Sequence, residues 1–173
     1  MVGRFRNPEK SLVAIKTVLD AGLDAAADAL DVAYSATGDM VLDDLGKIYI
    51  GRQMRVQGQD LPAIELEATE IEWDAEHGEQ EAIWEHSISL HVVMKHSNVP
   101  AETYNAEETA TIKLMRFCEA IICEIEGNRL LPVGSVDQAD YTRILRVGYP
   151  DPTEDDEPNT RRAEIVCTVH SSS

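Results

Sequence analysis

Two stretches decide the fold: PAIELEATEIEW (62–73) and IWEHSISLHVVMKH (83–96). In the second, Ile88, Leu90, Val92 and Met94 fall on one side of an extended chain, and Ser87, Ser89, His91 and Lys95 on the other. That period of two belongs to a strand with one face in a core. In the first, Ile64 and Leu66 alternate with Glu65 and Glu67, and then the phase slips so that Ile71 and Trp73 carry the apolar positions. One extra residue near Ala68 to Glu70, a β-bulge, restores the alternation. The acidic turn 74–81, which contains Gly78, joins the two runs into a long curved hairpin.

Working outward, SLVAIKTVLDAGLDAAADAL (11–30) places Leu12, Ile15, Leu19, Leu23, Ala26 and Leu30 at spacings of three and four, the stripe of an amphipathic helix. Gly38 is expected to help end this region, and a mobile loop to fill about 35–46. KIYIGR (47–52) reads as a short strand, followed by a polar segment, 54–61, suited to a hairpin or an extended arm. Downstream, residues 106–126 carry Leu114, Cys118, Ile121 and Ile125 in one row, widened by Ile112, Met115, Phe117 and Ile122, with Gly127 and Asn128 as a stop signal. Two strands close the chain. Their alternating sets are Tyr141, Leu145, Val147, Tyr149 and Ala163, Ile165, Cys167, Val169. The order is α-β-β-β-α-β-β, an α+β class: a mostly antiparallel twisted sheet of about five strands with two amphipathic helices packed on one face. The sequence is read as one domain, 1–173, with a polar arm (1–10), an acidic Pro-rich loop (150–162) and a tail (171–173).

The chain has 173 residues, 32 acidic and 15 basic, for a net charge of −17. Acid of this strength opposes gripping DNA, which needs clustered Lys and Arg. No apolar run is long enough to span a bilayer, and no signal peptide is visible, so the chain is expected to be made and kept in a cytoplasm or in a particle assembled there. Cys118, Cys123 and Cys167 form no CxxC pair and are expected to be small buried hydrophobes. His86, His91 and His96 recur every five residues, which alternates them between the two faces of a strand and prevents convergence on one metal. His77-Gly78-Glu79 echoes half of a zinc deaminase motif, without the PCxxC that would supply the other ligands. No GxSxG, P-loop or GxGxxG occurs. Glu107 and Glu108 suit the first turn of the second helix. The sequence thus calls for no catalytic residue, metal or cofactor, and points to protein–protein assembly.

Two features stand out as interface candidates. Asp20, Asp24 and Asp28 repeat every fourth residue, with no cation read on their stripe, so that face must see water or a cationic partner. The acidic turn carrying Glu76 and Glu79 is flanked by Trp73 and Trp84, large aromatics that pack under a hairpin tip or meet a neighbouring subunit.

The opening helix, KIYIGR, the hairpin, the helix ETATIKLMRFCEAIICEI and the closing strands YTRILRVGY and RRAEIVCTVH together resemble, over about residues 11–170, the tail terminator (tail-completion) proteins of long-tailed bacteriophages and prophages. The resemblance lies in the order of elements, since the family has no signature motif. It implies a homo-oligomeric ring, usually of six copies, that caps the tail tube, ends its polymerisation and joins tail to head. The implied partners are the chain itself, the tail tube protein and the head connector protein, with DNA passing through without specific binding and no membrane involved. The implied location is the host bacterial cytoplasm during assembly and then the virion tail. The alternatives are another head–tail connector or tail tube protein, or, from a different class, an acidic ligand- or protein-binding domain.

Overall fold

The computed structural model describes residues 8–53, 56, 58–74, 83–95, 105–150 and 160–172. Its elements are α1 (Glu9–Ala33), β1 (Lys47–Ile50), β2 (Ala63–Asp74), β3 (Ile83–Lys95), α2 (Ala106–Gly127), a two-residue pair β4 (Pro132–Val133) and β5 (Val136–Asp137), β6 (Tyr141–Gly148) and β7 (Thr160–Ser172). Five strands form one sheet in the order β1-β2-β3-β7-β6. The fold is α+β, with the major elements in the order read from the sequence.

Both helices lie on the same face of this sheet. Leu12, Ile15, Val18, Leu19, Leu23 and Ala27 of α1 and Leu114, Phe117, Cys118, Ile121 and Ile125 of α2 are buried, as their three-and-four spacing requires. They meet Ile64 and Leu66 of β2, Ile88, Leu90, Val92 and Met94 of β3, and Ala163, Ile165, Cys167 and Val169 of β7 in one apolar cluster. Fully burying each large side chain there stabilises the fold by roughly 1.5–3 kcal/mol. α2 begins in a capping box: Asn105 accepts from the Glu108 amide, and the Glu108 carboxylate accepts from the Asn105 amide. The bulge falls where the phase slip placed it, as a register shift between Ala68 and Glu70. A second shift, between Ile144 and Arg146, was not foreseen. It splits the supposed apolar set of β6, because Thr142, Ile144 and Val147 pair with the core-facing residues of β7, whereas Tyr141 pairs with His170 on the other side.

Several expectations change. β1 pairs with β2 in parallel, Lys47 to Ala63 through Ile50 to Leu66, so no hairpin joins them. Between them, Val56 lies on the helix-free face of the sheet and packs on Ala63 and Val93, with Tyr49 and Leu61 half-buried beside them. The end of α1 does not depend on Gly38. The helix ends at Ala33, and Ser35 turns the chain at φ +52°. The 35–46 segment is anchored rather than loose, with Met40 and Leu42 buried. β7 starts at Thr160 and runs to Ser172, so residues 160–162 are strand rather than loop, and Ser171 is buried rather than part of a tail. The bulk of the N-terminal arm (1–7), the loop 151–159, and His96 lie outside the described residues.

Candidate interaction surface

The acidic stripe of α1 is exposed, as expected: Asp20, Asp24 and Asp28 all face solvent. It is not without cationic relief, however. Lys16 Nζ lies 2.6 Å from Asp20 Oδ2, one turn back. Asp24 Oδ1 accepts the Leu45 amide at 2.8 Å, and Asp31 Oδ2 accepts the Leu42 amide at 2.9 Å. Part of the acid on α1 therefore fastens the segment that follows the helix. Asp24 and Asp31 are seven residues, about two turns, apart, which puts both carboxylates on the side of α1 that this segment follows.

Of the hairpin-tip candidates, Glu76 and Glu79 lie outside the described residues. Trp73 and Trp84 occupy directly opposed positions in the β2–β3 ladder. Trp84 is buried, at 7% exposure, rather than on an open contact surface.

The helix-free face of the sheet holds what the sequence did not reveal. Ladder pairing aligns residues across the strands in rows. One row runs Tyr49, Glu65, His91, Glu164 and Gly148 across all five strands. Glu65 is 1% exposed. Its Oε1 accepts the Gln53 amide at 2.7 Å and its Oε2 lies 3.8 Å from Arg162 Nη1, so a buried carboxylate holds the crossing chain down. Burial pushes the His91 imidazole below its usual range, Arg52 adds to this, and Glu164, Glu67 and Glu65 oppose it. Ser89 Oγ donates to Glu164 Oε1 at 3.1 Å, and Arg146 Nη2 donates to Glu164 Oε2 at 3.1 Å.

The next rows run Glu67–Ser89–Val166–Arg146 and Glu70–Ser87–Thr168–Arg143. Because directly opposed residues share a face, Glu67, Glu70, Arg143 and Arg146 all lie on the helix-free side. The two sides of the sheet carry opposite charge there. β2 holds Glu65, Glu67, Glu70, Glu72 and Asp74 and no Lys or Arg, whereas β6 holds Arg143 and Arg146 and no Asp or Glu. Sequence alone shows both biases, but only the ladder shows that they sit at the same height on one face.

On the helix layer, Tyr34, Ile112, Met115, Arg116, Glu119, Ile122 and Tyr149 line an open groove of about 430 Å³. The Arg116 guanidinium stacks 4.5 Å from the Tyr34 ring centroid, and Tyr34 Oη donates to Glu119 Oε2 at 2.8 Å. That hydrogen bond to a carboxylate raises the Tyr34 phenol above its usual pKa. Met115, expected in the core stripe, is exposed.

Cys118 and Cys167 are buried, and burial pushes each thiol up to about 12, which removes the thiolate needed for nucleophilic work. Cys123 departs from the expectation of three buried thiols: it lies on the outer side of α2 and is exposed. His86 and His91 take opposite faces, as the spacing required. His86 is buried on the helix side with Nδ1 3.0 Å from Ser11 Oγ, and His91 lies on the helix-free side. Among the described residues no group of three or more His, Cys, Asp or Glu could hold a metal ion, and no helix is long and apolar enough to cross a membrane. No protein-family model and no curated protein matches the sequence.

Proposed function

We propose that this chain is a structural component of a phage or prophage virion: a tail terminator that forms a homo-oligomeric ring, caps the tail tube, ends its polymerisation and joins the tail to the head. The observation that carries the reading is the arrangement of two helices on one face of a five-stranded sheet in the order α-β-β-β-α-β-β, with long central strands β2, β3 and β7. That is the architecture the family resemblance implies. The net charge of −17 supports it, since an acidic ring repels phosphate and lets DNA slide through rather than holding it. Asp28, exposed and without an ion pair among the described residues, is the position of the candidate stripe best suited to a lumen or axial wall, whereas Asp20 is paired with Lys16 and the Asp24 carboxylate is engaged by the Leu45 amide. In this reading the partners are further copies, the tail tube protein and the head connector protein, and no cofactor is used.

The test is to add purified protein to tail tubes and follow mass and tube length. The expected result is a ring at one tube end and arrested elongation. Tubes that lengthen unchanged, with no protein at their ends, overturn the reading. One observation favours a different class, an acidic protein-binding domain: the apolar groove of Tyr34, Ile112, Met115, Ile122 and Tyr149. Binding of a foreign peptide in that groove, abolished by Met115→Glu, together with no effect on tubes, would select it.

A further inference from the structure

The outermost strands of the sheet do not cover the same rows. β1 covers β2 only from Ala63 to Leu66, which leaves the outer edge of β2 unpaired from Glu67 onward among the described residues. On the opposite side, the edge strand β6 spans the rows from Gly148, level with Glu65, to Tyr141, level with Glu72. β6 from Arg146 to Tyr141 therefore stands opposite the notch that β1 leaves open, and only Val147 and Gly148 are level with rows that β1 covers. Successive antiparallel pairings give β6 the direction of β3, and β2 the reverse. A second copy turned about an axis along the strands would bring its β2 antiparallel beside β6, at the same height.

We propose that copies of this chain join head to tail by edge pairing, with β6 of one copy entering the β2 notch of the next. Charge selects this arrangement. Without a shift in height, Arg146 of one copy meets Glu67 of its neighbour and Arg143 meets Glu70, on the same face. Opposite charges directly across a strand pair stabilise it, and like charges destabilise it. Two β6 edges would set arginine against arginine, and two β2 edges glutamate against glutamate. Edge charges of this kind normally block sheet-to-sheet association. Here they block the symmetric pairings and leave the unlike one open. The groups are available: Arg146 is bonded to Glu164 but keeps 69% of its side chain exposed, Arg143 has no ion pair among the described residues, and Glu70 is exposed. Glu67 lies 3.6 Å from His91 Nε2 with 43% of its side chain exposed. A contact between two different patches is heterologous and generates either a closed ring or a filament. The inference rests on the proposed ring only for closure, since the pairing itself follows from the two edges.

The experiment is a charge swap read by sedimentation over a concentration series, with circular dichroism to verify folding. The wild type is expected to associate with rising concentration, and added salt should weaken it. Arg143→Glu with Arg146→Glu, and separately Glu67→Arg with Glu70→Arg, should each raise the dissociation constant roughly tenfold or more. A one-to-one mixture of the two variants should assemble again, because each then offers the other an unlike edge. A wild type that stays monomeric at every concentration overturns the pairing. Variants that associate like the wild type, or a mixture that stays apart, also overturn it. If such variants still cap tail tubes, the ring reading survives and its contact lies elsewhere. If the swap behaves as expected but tube ends stay bare, the pairing stands and the tail reading fails.

Discussion

Gly46 and Gly22 should respond to the same substitution in different ways. A Cβ on Gly46 would overlap the Asp60 carbonyl group and come within 3.1 Å of the Leu61 amide nitrogen. Those are backbone atoms, and the turn that carries them is held by the Gly46 amide donating to the Pro62 carbonyl at 2.8 Å and by the Tyr49 hydroxyl donating to Asp60 Oδ2. The methyl group that Gly46→Ala introduces can be accommodated only by pushing that turn away. Overpacking of this kind costs about 1–3 kcal/mol, and a strained or lost hydrogen bond adds about 1 kcal/mol. The sum, roughly 2–4 kcal/mol, corresponds to a melting point lower by roughly 5–15 °C for a chain of this length. The nearest atoms to a Cβ on Gly22, inside α1, belong to the Glu124 carboxylate, the far end of a flexible side chain. Alanine gains about 1 kcal/mol of helix propensity there. Moving the carboxylate strains its 2.8 Å bond from Asn128 Nδ2, which offsets most of that gain. Gly22→Ala should therefore lie within about 0.5 kcal/mol of the wild type. Urea titrations with thermal melts, at one fixed protein concentration, compare the two. A Gly46→Ala protein that melts like the wild type, or a Gly22→Ala protein that falls as far, would refute the reasoning.

Phe117→Ala empties a fully buried site on α2 and should cost about 3–5 kcal/mol, measured by the same titration. Asn105→Ala removes the side-chain half of the capping box and should cost about 1 kcal/mol. Because His91 has its folded-state pKa below the ordinary value of about 6.5, the unfolded chain binds more protons in the window between the two. Stability should be full above that value and fall as pH drops through it, and His91→Gln should flatten that slope in urea titrations across pH. In native buffer a thiol reagent should modify Cys123 quickly and leave Cys118 and Cys167 protected until urea is added. Equal rates at all three would contradict the burial.

The helices and the long hairpin were legible because their apolar periods run for a dozen residues or more. Even the bulge at Ala68–Glu70 was visible, since one extra residue flips every later side chain. The direction of β1 was not. Four residues, KIYI, alternate in the same way in parallel and antiparallel ladders, and nothing in them announces that Val56 beyond will pack across the sheet on Ala63 and Val93. β4 and β5 are two residues each, too short to show any period. Cys123 was misread because it was grouped with Cys118, although a spacing of five turns it to another side of the helix. At the candidate sites, the exposure of Asp20, Asp24 and Asp28 is readable, and the Lys16 pair follows from i,i+4 spacing, but the Leu45 amide contact depends on where the segment after the helix lies. The edge charges Glu67, Glu70, Arg143 and Arg146 were in plain sight as letters. Their common face depends on two bulges and three ladders, information that no single segment holds.

The carboxylates of Asp24 and Asp31 have a kinetic consequence. The amides of Leu45 and Leu42 donate to no strand or helix backbone. They donate to side chains in the C-terminal half of α1. Their protons can exchange with solvent only when that contact opens, so fraying of the C-terminal end of α1 and release of the 35–46 segment become a single local unfolding event. Hydrogen exchange at these two amides would then report the opening free energy of the end of a helix to which neither residue belongs. Asp24→Asn and Asp31→Asn, which keep a carbonyl acceptor but remove the charge, would show how much of that protection is electrostatic.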